Sequence, residues 1–555
     1  MKVKVREGFG WKLYQNNSTK LWFSGYLIGR KDIDDLLLEA VDFFNTDGIN
    51  IKNLSEWVRK ISGHFAFVLQ FSDNSCFASV DKICSIPIYI ADNIHQSAVS
   101  NHAPYLKDIF KVSEKSTKAA LEIAMSGFSI GNKTIYKNIQ RLSAGECILW
   151  SDGNIYKDYY YTYYPNELFL YDKSQLEQKL SEVILSTLKK TIKSVNGRQI
   201  VVPLSAGNDS RLIVSGLKHL GCENVICFTY GRRGNYEINT SKEVASLLGY
   251  KWIYIQDLVK EKRNFFKSSI YKEYIEAFES YSSIPNVQDI YEIYTLKSQK
   301  IIDDDAVIIN GNSGDFISGG HIPNKYQKNT NYLSVNELDW ILFLDKHYSL
   351  WRKLRTKFND SIIISELLKN ISERGVINSQ ERVYQYAIME CVECIGRQSR
   401  LVINQQRSYE FIGHEWRLPF WSEDFLNFWE GVPVEYKINQ SLYKSVLMDN
   451  NWGGVWNNIK VNNKRIRPYS LWLVRWVVKR LVSPAGKKVW HRIEKNMFAY
   501  WVHPTYIRVI APYFKYLFDF RGHRGASSWL AKQAIDRYGF SSIASVDNFV
   551  KKTKK

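Results

Sequence analysis

The sequence feature that most constrains the fold is an apolar segment that stops abruptly at small and polar residues. Residues 200–204 are apolar and rich in β-branched side chains, whereas residues 205–210 read SAGNDS. Apolar side chains then recur at helical spacing at Leu212, Ile213, Leu217 and Leu220. The pattern predicts a buried strand, a tight loop and an amphipathic helix.

The loop between this strand and helix is typical of an anion-binding site. The first N–H groups of a helix lack partners within it, and the helix dipole makes that end positive. Small side chains at Ser205, Ala206 and Gly207 would let a pyrophosphate approach the backbone, and Ser210 would add a hydroxyl donor. Asp209 would repel phosphate unless a cation lay between them, so we interpret it as a Mg²⁺ ligand. An ordinary turn with an Asp or Ser helix cap is the open alternative.

Strand-like and helix-like segments alternate after this loop. Residues 225–230 and 252–255 read as strands, and a helical pattern that ends at Gly249 separates them. Such alternation predicts a doubly wound parallel sheet, in which ligands bind at the carboxyl ends of the strands. Leu204 and Tyr230 should therefore lie near the loop. Both could equally be plain core residues.

A second apolar segment, residues 306–309, also opens into a glycine-rich loop. It continues through Asn310 and Gly311 to Asp315 and a Gly-Gly pair. We read this as another buried strand whose loop carries an acid. Asp315 is then placed to help hold Mg²⁺ opposite Asp209.

Both loops resemble motifs of ATP pyrophosphatases. SAGNDS at 205–210 resembles their SGGxDS loop, with Ala206 replacing the first glycine, and residues 310–320 resemble the SGEGADExFGGY motif of asparagine synthetases. The resemblance implies ATP as co-substrate, Mg²⁺ as cofactor, and Asp209 and Asp315 as metal ligands. It implies ATP or pyrophosphate contacts at Leu204, Ser205, Ala206, Gly207, Asn208, Asp209, Ser210, Tyr230, Asn310 and Gly311. Asn312 and Phe316 replace family glutamates, so ATP binding is better supported than aspartate as the substrate.

Further segments follow the same family order. EWRLPF at 415–420 resembles the family's EVRVPF, where Arg417 is expected either in a structural salt bridge or in the acceptor pocket. Synthetases keep a lysine that neutralises charge during adenylation, and the resemblance implies Lys464 first and Lys444 second for that catalytic role.

Residues 1–165 read as short strands, including 21–23, 65–69, 76–80 and 86–90, and predict an antiparallel layered domain. GHFAF at 63–67 resembles the GEFAF strand of class II glutamine amidotransferases, which implies an Ntn-hydrolase-like fold. That family uses an N-terminal cysteine as nucleophile. Position 2 is Lys2 and the first cysteine is Cys76, so we expect a scaffold that hydrolyses no glutamine. The open alternative is that an upstream start or a processed extension supplies a cysteine.

Length and composition set the remaining limits. A chain of 555 residues with 45% hydrophobic content predicts several globular domains. We divide it into a glutaminase-like domain (1–165), an ATP-pyrophosphatase domain (166–465) and a basic, aromatic-rich helical extension (466–555). The seven cysteines form no paired framework, which favours structural thiols in a reducing cytosol over a zinc site. No membrane-length apolar run occurs, so we expect a cytoplasmic protein, with peripheral attachment at the inner membrane surface left open.

The positive charge is concentrated near the C-terminus. Residues 464–555 hold 20 Lys and Arg against four acids, whereas the net charge of the whole chain is +19. A packed helical subdomain with a solvated basic face is the favoured interpretation. A docking surface for an anionic membrane or an acidic partner is the alternative.

Together these patterns favour an ATP-dependent amide ligase. It would activate a small-molecule, sugar-acid or peptide carboxylate as an acyl adenylate and transfer it to ammonia or a substrate amine. A non-catalytic nucleotide- or partner-binding relative is the first alternative. A tRNA-modifying ligase is the second, although the amidotransferase-like N-terminal region argues against nucleic acid.

Overall fold

The computed structural model describes residues 1–29, 32–47, 50–93, 96–327, 332–377, 382–457, 459, 469–486, 489–490, 493–502, 506–518 and 525–540. Over these residues the protein is mixed α/β. N-terminal sheets precede a parallel-sheet region and C-terminal helices. This confirms the predicted multidomain fold class, while the domain boundaries near 165 and 465 stay predictions.

The N-terminal region contains two sheets and four helices in its described part. In chain order these elements are β1 (Lys2–Val3), β2 (Lys12–Asn16), β3 (Thr19–Leu27), α1 (Ile33–Asp47), α2 (Ile51–Arg59), β4 (Gly63–Gln70), β5 (Cys76–Val80), β6 (Tyr89–Asp92), β7 (Ser97–Ser100), α3 (Ala103–Ile109), α4 (Thr117–Ser126), β8 (Ile139–Arg141), β9 (Glu146–Ser151) and β10 (Asn154–Tyr159).

The central strands of the larger of these sheets, β4 and β5, are buried on both faces. Its antiparallel strands run in the order β10-β9-β5-β4-β3-β2, and the smaller sheet runs β1-β7-β6-β8. Along β4, Phe65, Phe67 and Leu69 pack with α1 and α2, whereas Ala66 and Val68 join the main core on the other face. Burial of both faces explains why β4 reads as a continuous apolar run.

The structure corrects the strand reading of this region in three places. Strand β1 pairs with β7 in parallel. Helices α1 and α2 were not predicted, although Leu36, Leu37 and Ala40 follow a helical period. The strand expected at 86–90 begins only at Tyr89, because Pro87 has no N–H to donate to a sheet.

The middle region alternates strands and helices and then becomes largely helical. Its elements are α5 (Lys173–Val195), β11 (Ile200–Pro203), α6 (Asn208–His219), β12 (Val225–Gly231), α7 (Tyr236–Leu247), β13 (Lys251–Gln256), α8 (Val259–Phe265), α9 (Ser269–Ala277), α10 (Ile290–Ser298), β14 (Val307–Ile309), β15 (Tyr332–Ser334), α11 (Ile341–His347), α12 (Lys357–Glu373), β16 (Arg382–Tyr384), α13 (Gln385–Glu393), α14 (Gln406–Ile412), β17 (Glu415–Arg417), α15 (Glu423–Gly431), α16 (Val434–Lys437) and α17 (Ser441–Asn450).

Five parallel strands of this region determine where a ligand can bind. They lie in the order β13-β12-β11-β14-β17. From β11 the chain builds outward through β12 to β13, and it then returns to the other side of β11 with β14 and β17. The strand order reverses between β11 and β14, so a crevice is expected beyond their carboxyl ends. Both glycine loops start at that crevice, since one follows β11 and the other follows β14.

Arg417 joins the N-terminal region to this sheet. Its guanidinium donates to the backbone carbonyl of Ser194 at 2.7 Å and to the Glu415 carboxylate at 3.0 Å. It also lies over the ring of Tyr26 in β3, with 4.0 Å from Cζ to the ring centroid. The structural role, rather than a place in an acceptor pocket, is therefore the one that the contacts support.

The C-terminal region is helical where it is described. Its helices are α18 (Tyr469–Val482), α19 (Ala499–Val502), α20 (Tyr506–Ile510), α21 (Tyr513–Leu517) and α22 (Ala526–Arg537). Among the described residues, none of the helices combines the length and apolarity needed to cross a bilayer. Helix α20 packs on α8, and Arg263 Nη2 donates to the Arg508 carbonyl at 2.7 Å.

An ion-pair cluster also joins the N-terminal region to α12. Glu366 accepts from Lys133 at 2.6 Å and from Lys118 at 2.7 Å. Burial alone would raise the pKa of Glu366, but the two lysines outweigh burial and lower it to about 2. A carboxylate with a depressed pKa stabilises the fold above its unfolded pKa, and this contribution disappears as the pH falls through the folded pKa.

We expect Glu366→Gln to lower the free energy of unfolding by about 2 kcal/mol at pH 7. The difference in unfolding free energy between the variant and wild type should shrink as the pH falls from 4.5, the ordinary pKa of a glutamate, towards about 2, the pKa of Glu366 in the folded protein. Urea unfolding at several pH values measures it. Glu373→Gln is the matched control on α12, because Glu373 is half exposed and lies 3.7 Å from Lys369. A loss that is equal in both variants, or independent of pH, would contradict the assignment.

Candidate functional site

The loop after β11 leaves the start of α6 open. Gly207 is the N-cap, and among the described side chains none caps the helix. Ser205 instead bonds within the loop: its Oγ lies 3.0 Å from Ser210 Oγ and accepts from the Gly207 N–H at 3.1 Å. The alternative of an Asp- or Ser-capped turn is therefore wrong here. An uncapped helix N-terminus with small residues before it suits an anion.

The two glycine loops are in direct contact. The Asp315 N–H donates to Asp209 Oδ2 at 2.9 Å. A Cβ at Gly314 would lie 2.6 Å from Cγ of Asp209, and one at Gly311 would lie 3.0 Å from the backbone N of Ser210. Side chains at these two glycines would force the loops apart. The structure thus brings together the two carboxylates that were predicted to share a metal.

The two carboxylates have different electrostatic environments. Burial raises the pKa of Asp209 to about 7, and repulsion from Asp315 adds to the effect. Burial would also raise the pKa of Asp315, but its hydrogen bond and charge interaction with His321 outweigh burial and keep it below the ordinary value. His321 Nε2 lies 3.3 Å from Asp315 Oδ2, and its Nδ1 lies 2.6 Å from Glu393 Oε1.

These residues fit a magnesium ion that is completed by phosphate oxygens. Among the described residues, there is no group of three or more His, Cys, Asp and Glu side chains that could hold a metal ion by itself. Two carboxylates together with substrate phosphates are a usual set of Mg²⁺ ligands. A cation between Asp209 and Asp315 would also relieve the repulsion that raises the pKa of Asp209. Their role as metal ligands stays a prediction.

A cavity of about 660 Å³ opens at the carboxyl ends of β11 and β12. Its volume is within the range of small-molecule sites. Eight residues predicted to contact ATP or pyrophosphate line it, namely Leu204, Ser205, Gly207, Asp209, Ser210, Tyr230, Asn310 and Gly311. Arg232 and Arg233 line it as well. Ala206 and Asn208 lie outside the lining; the Ala206 carbonyl accepts from Arg211 at 3.3 Å.

The sequence did not predict part of this wall. Trp501 and Tyr506, from the C-terminal region, line the cavity together with Asp289. Tyr506 OH accepts from the Asp289 N–H at 3.3 Å and donates to Glu292 at 3.3 Å. The only signal was the aromatic enrichment near the C-terminus. Nothing local in the sequence relates residue 506 to the β12 loop.

Tyr443 and His321 are further residues that the sequence did not single out. Tyr443 OH donates to Asp209 Oδ1 at 3.2 Å from α17. His321 follows the Gly-Gly pair of the second loop, and that position was the only available signal. Tyr443 thus contacts the carboxylate of Asp209, and His321 contacts the carboxylate of Asp315.

The two departures from the family motif have different structural consequences. Asn312 lines the cavity, and its amide donates to Gln405 at 2.9 Å. Phe316 is fully buried and stacks on Trp421 with ring centroids 5.9 Å apart. One family glutamate is therefore replaced by a neutral amide at the wall, and the other by a core residue.

Of the two predicted catalytic lysines, Lys444 alone belongs to the described residues, and it does not line the cavity. Lys464 lies outside the described residues. Lys444 is exposed on α17, and its ammonium donates to the Asn439 carbonyl at 2.7 Å. The catalytic role of either lysine stays a prediction.

Comparison with known proteins finds similarity over part of the chain. Residues 184–449 match the family model described as asparagine synthase. A probable glutamine-hydrolysing asparagine synthetase of Acanthamoeba polyphaga mimivirus is 32% identical over 98 residues, which are 17% of this chain and 18% of that protein. An NH3-dependent NAD synthetase from Campylobacter jejuni subsp. jejuni NCTC 11168, solved with a nitrate ion, is 12% identical, with a TM-score of 0.20 over 38% of this chain and 98% of that one.

We expect Gly314→Ala to weaken Mg·ATP binding about ten-fold or more, because the new methyl group would press on the Asp209 carboxylate. Isothermal titration calorimetry measures this change. Gly525→Ala is the control, since a Cβ there meets nothing within 4 Å. Equal affinity in the two variants would mean that the contact between the loops does not matter for the nucleotide.

Proposed function

We propose that this asparagine synthetase-like protein is an ATP-dependent ligase that activates a carboxylate as its acyl adenylate and transfers the acyl group to ammonia or a substrate amine. The family match supports a carbon–nitrogen ligase with an ATP-pyrophosphatase-type domain. AMP and pyrophosphate as products, magnesium as cofactor and independence from glutamine are parts of the proposal.

The observation that carries the proposal is the contact between the loops beside the cavity. The Asp315 N–H reaches the Asp209 carboxylate at 2.9 Å, and Asp209 also lines the cavity together with Ser205 and Ser210. Asp209 thus lines the cavity beside an uncapped helix N-terminus, and Asp315, whose exposed side chain lies outside the lining, contacts Asp209 from the second loop. A magnesium triphosphate needs donors of both kinds.

Each group then has a defined task. The N–H groups at the start of α6 and the hydroxyls of Ser205 and Ser210 would receive the pyrophosphate as the substrate carboxylate attacks the α-phosphorus. Asp209 and Asp315 would hold Mg²⁺, which supplies charge neutralisation at the phosphates. Leu204 and Tyr230 would contact the adenosine. His321 and Tyr443 would orient the two carboxylates.

The carboxylate substrate is proposed to differ from aspartate. Asn312 carries no charge at a position of the wall where the family motif has a glutamate. A site without that carboxylate would interact differently with an aspartate ammonium group. Sugar-acid and peptide carboxylates remain within the proposed class.

Buried thiols support a scaffold role for the N-terminal region. Cys76, Cys84 and Cys147 are all buried. Burial raises the pKa of Cys76 to about 12, and the nearby Met1 amino group offsets this only in part. A protonated, inaccessible thiol is a poor nucleophile. Nitrogen would then come from ammonia or from an amine rather than from glutamine.

We expect ATP–pyrophosphate exchange only when the correct carboxylate is present. Asp209→Asn and Asp315→Asn should each reduce exchange by about 100-fold or more, because each would remove one carboxylate from the metal site. Radiolabelled pyrophosphate exchange against a panel of sugar-acid and peptide carboxylates measures it. Asp424→Asn on α15 is a control outside the cavity. Nucleotide binding without exchange under any condition would favour the non-catalytic alternative.

Turnover should be supported by ammonia or an amine and not by glutamine. AMP release with each nitrogen source in turn decides this point. Cys76→Ala should leave the rate unchanged because its thiol is buried. Turnover with glutamine as the sole nitrogen source would show that the N-terminal region is a working glutaminase.

The catalytic lysine can be identified in the same assay. Lys464→Gln should lower the exchange rate while nucleotide affinity is retained, since its predicted role is to neutralise charge in the transition state. Lys444→Gln tests the second candidate. If neither variant loses activity, the predicted lysine role is wrong for both positions.

A further inference from the structure

Helix α18 (Tyr469–Val482) contacts the rest of the protein through one narrow stripe of side chains. Leu471, Arg475, Val478 and Val482 are half-buried and recur at helical spacing, so they form one face of the helix. Within that stripe, Arg475 pairs with Glu494 and lies over the ring of Trp490. The other described side chains of the helix are exposed.

The exposed face of α18 is unusually apolar. It consists of Trp472, Leu473, Val474, Trp476, Val477 and Leu481, each between 41% and 76% exposed. A soluble protein normally covers such a contiguous apolar face. The face therefore needs a partner that the described residues of this chain do not supply.

The charged residues within and beside this face are basic. Lys479 and Arg480 are exposed at the same end of α18, and the Arg480 guanidinium lies over the ring of Trp476 at 4.1 Å. The sequence of α18 contains no Asp or Glu. Tryptophan and basic side chains around aliphatic residues are the composition of helices that lie in a lipid interface.

We propose that the exposed face of α18 docks in the plane of an anionic lipid surface. Leu473, Trp476 and Val477 would enter the boundary between headgroups and acyl chains, and Lys479 and Arg480 would contact anionic headgroups. At 14 residues, α18 is too short to cross a bilayer but long enough to lie on one. The proposal concerns attachment alone and does not depend on the proposed ligase reaction.

Charge and shape favour this partner over the others. In a two-fold dimer the same patch meets itself, so the basic side chains of both copies would be buried in one interface to which α18 brings no acid. An acidic peptide would match the charge, but peptides bind in grooves or along sheet edges, whereas α18 presents a convex helix face. A lipid surface matches both the charge and the convex apolar face.

The test is co-sedimentation of the full chain with vesicles. We expect binding to phosphatidylcholine vesicles that contain phosphatidylglycerol, and little binding to phosphatidylcholine alone. Binding should weaken as salt is raised. Lys479→Gln with Arg480→Gln should reduce it roughly 25-fold, since each basic side chain near an anionic surface contributes about five-fold. Leu473→Glu with Val477→Glu should abolish it.

Matched controls separate the helix from general charge effects. Leu168→Glu with Leu170→Glu places two acids at other exposed leucines, and Lys357→Gln with Lys369→Gln removes two exposed lysines from α12. Both controls should retain nearly all vesicle binding. All variants should keep the wild-type ATP affinity and unfolding temperature, since the changed side chains are exposed.

Three results would overturn the proposal. The first is equal binding to both kinds of vesicle, or no binding to either kind. The second is equal loss in the α18 variants and in their controls. The third is a soluble partner in place of lipid, seen as a concentration-dependent dimer that Leu473→Glu with Val477→Glu dissolves, or as capture by polyglutamate in preference to vesicles.

Discussion

The hydrogen bond from the Asp315 backbone to the Asp209 carboxylate is the interaction on which the whole site depends. It brings together two loops that are separated by about a hundred residues of sequence, and it does so only because Gly311 and Gly314 have no side chains to keep them apart. The reversal of strand order between β11 and β14 places both loops in one crevice. Topology thus supplies the approximate position, and the glycines permit the final contact.

The N-terminal and C-terminal regions of the chain contribute differently to that site. The N-terminal region supports it from a distance, through Arg417 stacked on Tyr26 and through Glu423, which accepts from Ser62 and Lys82. The C-terminal region contributes directly, since Tyr506 and Trp501 form part of the cavity wall. Changes near the C-terminus can therefore reach the cavity, whereas the N-terminal thiols are buried away from solvent.

The sequence predicted what depends on short stretches of chain. The SAGNDS loop, the second glycine loop and the alternation around β12 each carry their pattern within about fifteen residues, and the parallel sheet follows from them. It could not predict contacts between distant segments. Tyr443 reaches Asp209 from α17, and His321 joins Asp315 to Glu393 of α13, but no local periodicity marks these side chains. The exposed face of α18 could not be distinguished from a packed face either, because an apolar helix has the same sequence in both settings.

The most direct measurement is the anomalous scattering of Mn²⁺ in crystals soaked with manganese and a non-hydrolysable ATP analogue. The account predicts a manganese peak within bonding distance of both the Asp209 and Asp315 carboxylates, with the triphosphate at the start of α6. A nucleotide bound elsewhere, or a metal that contacts only one of the two carboxylates, would contradict it.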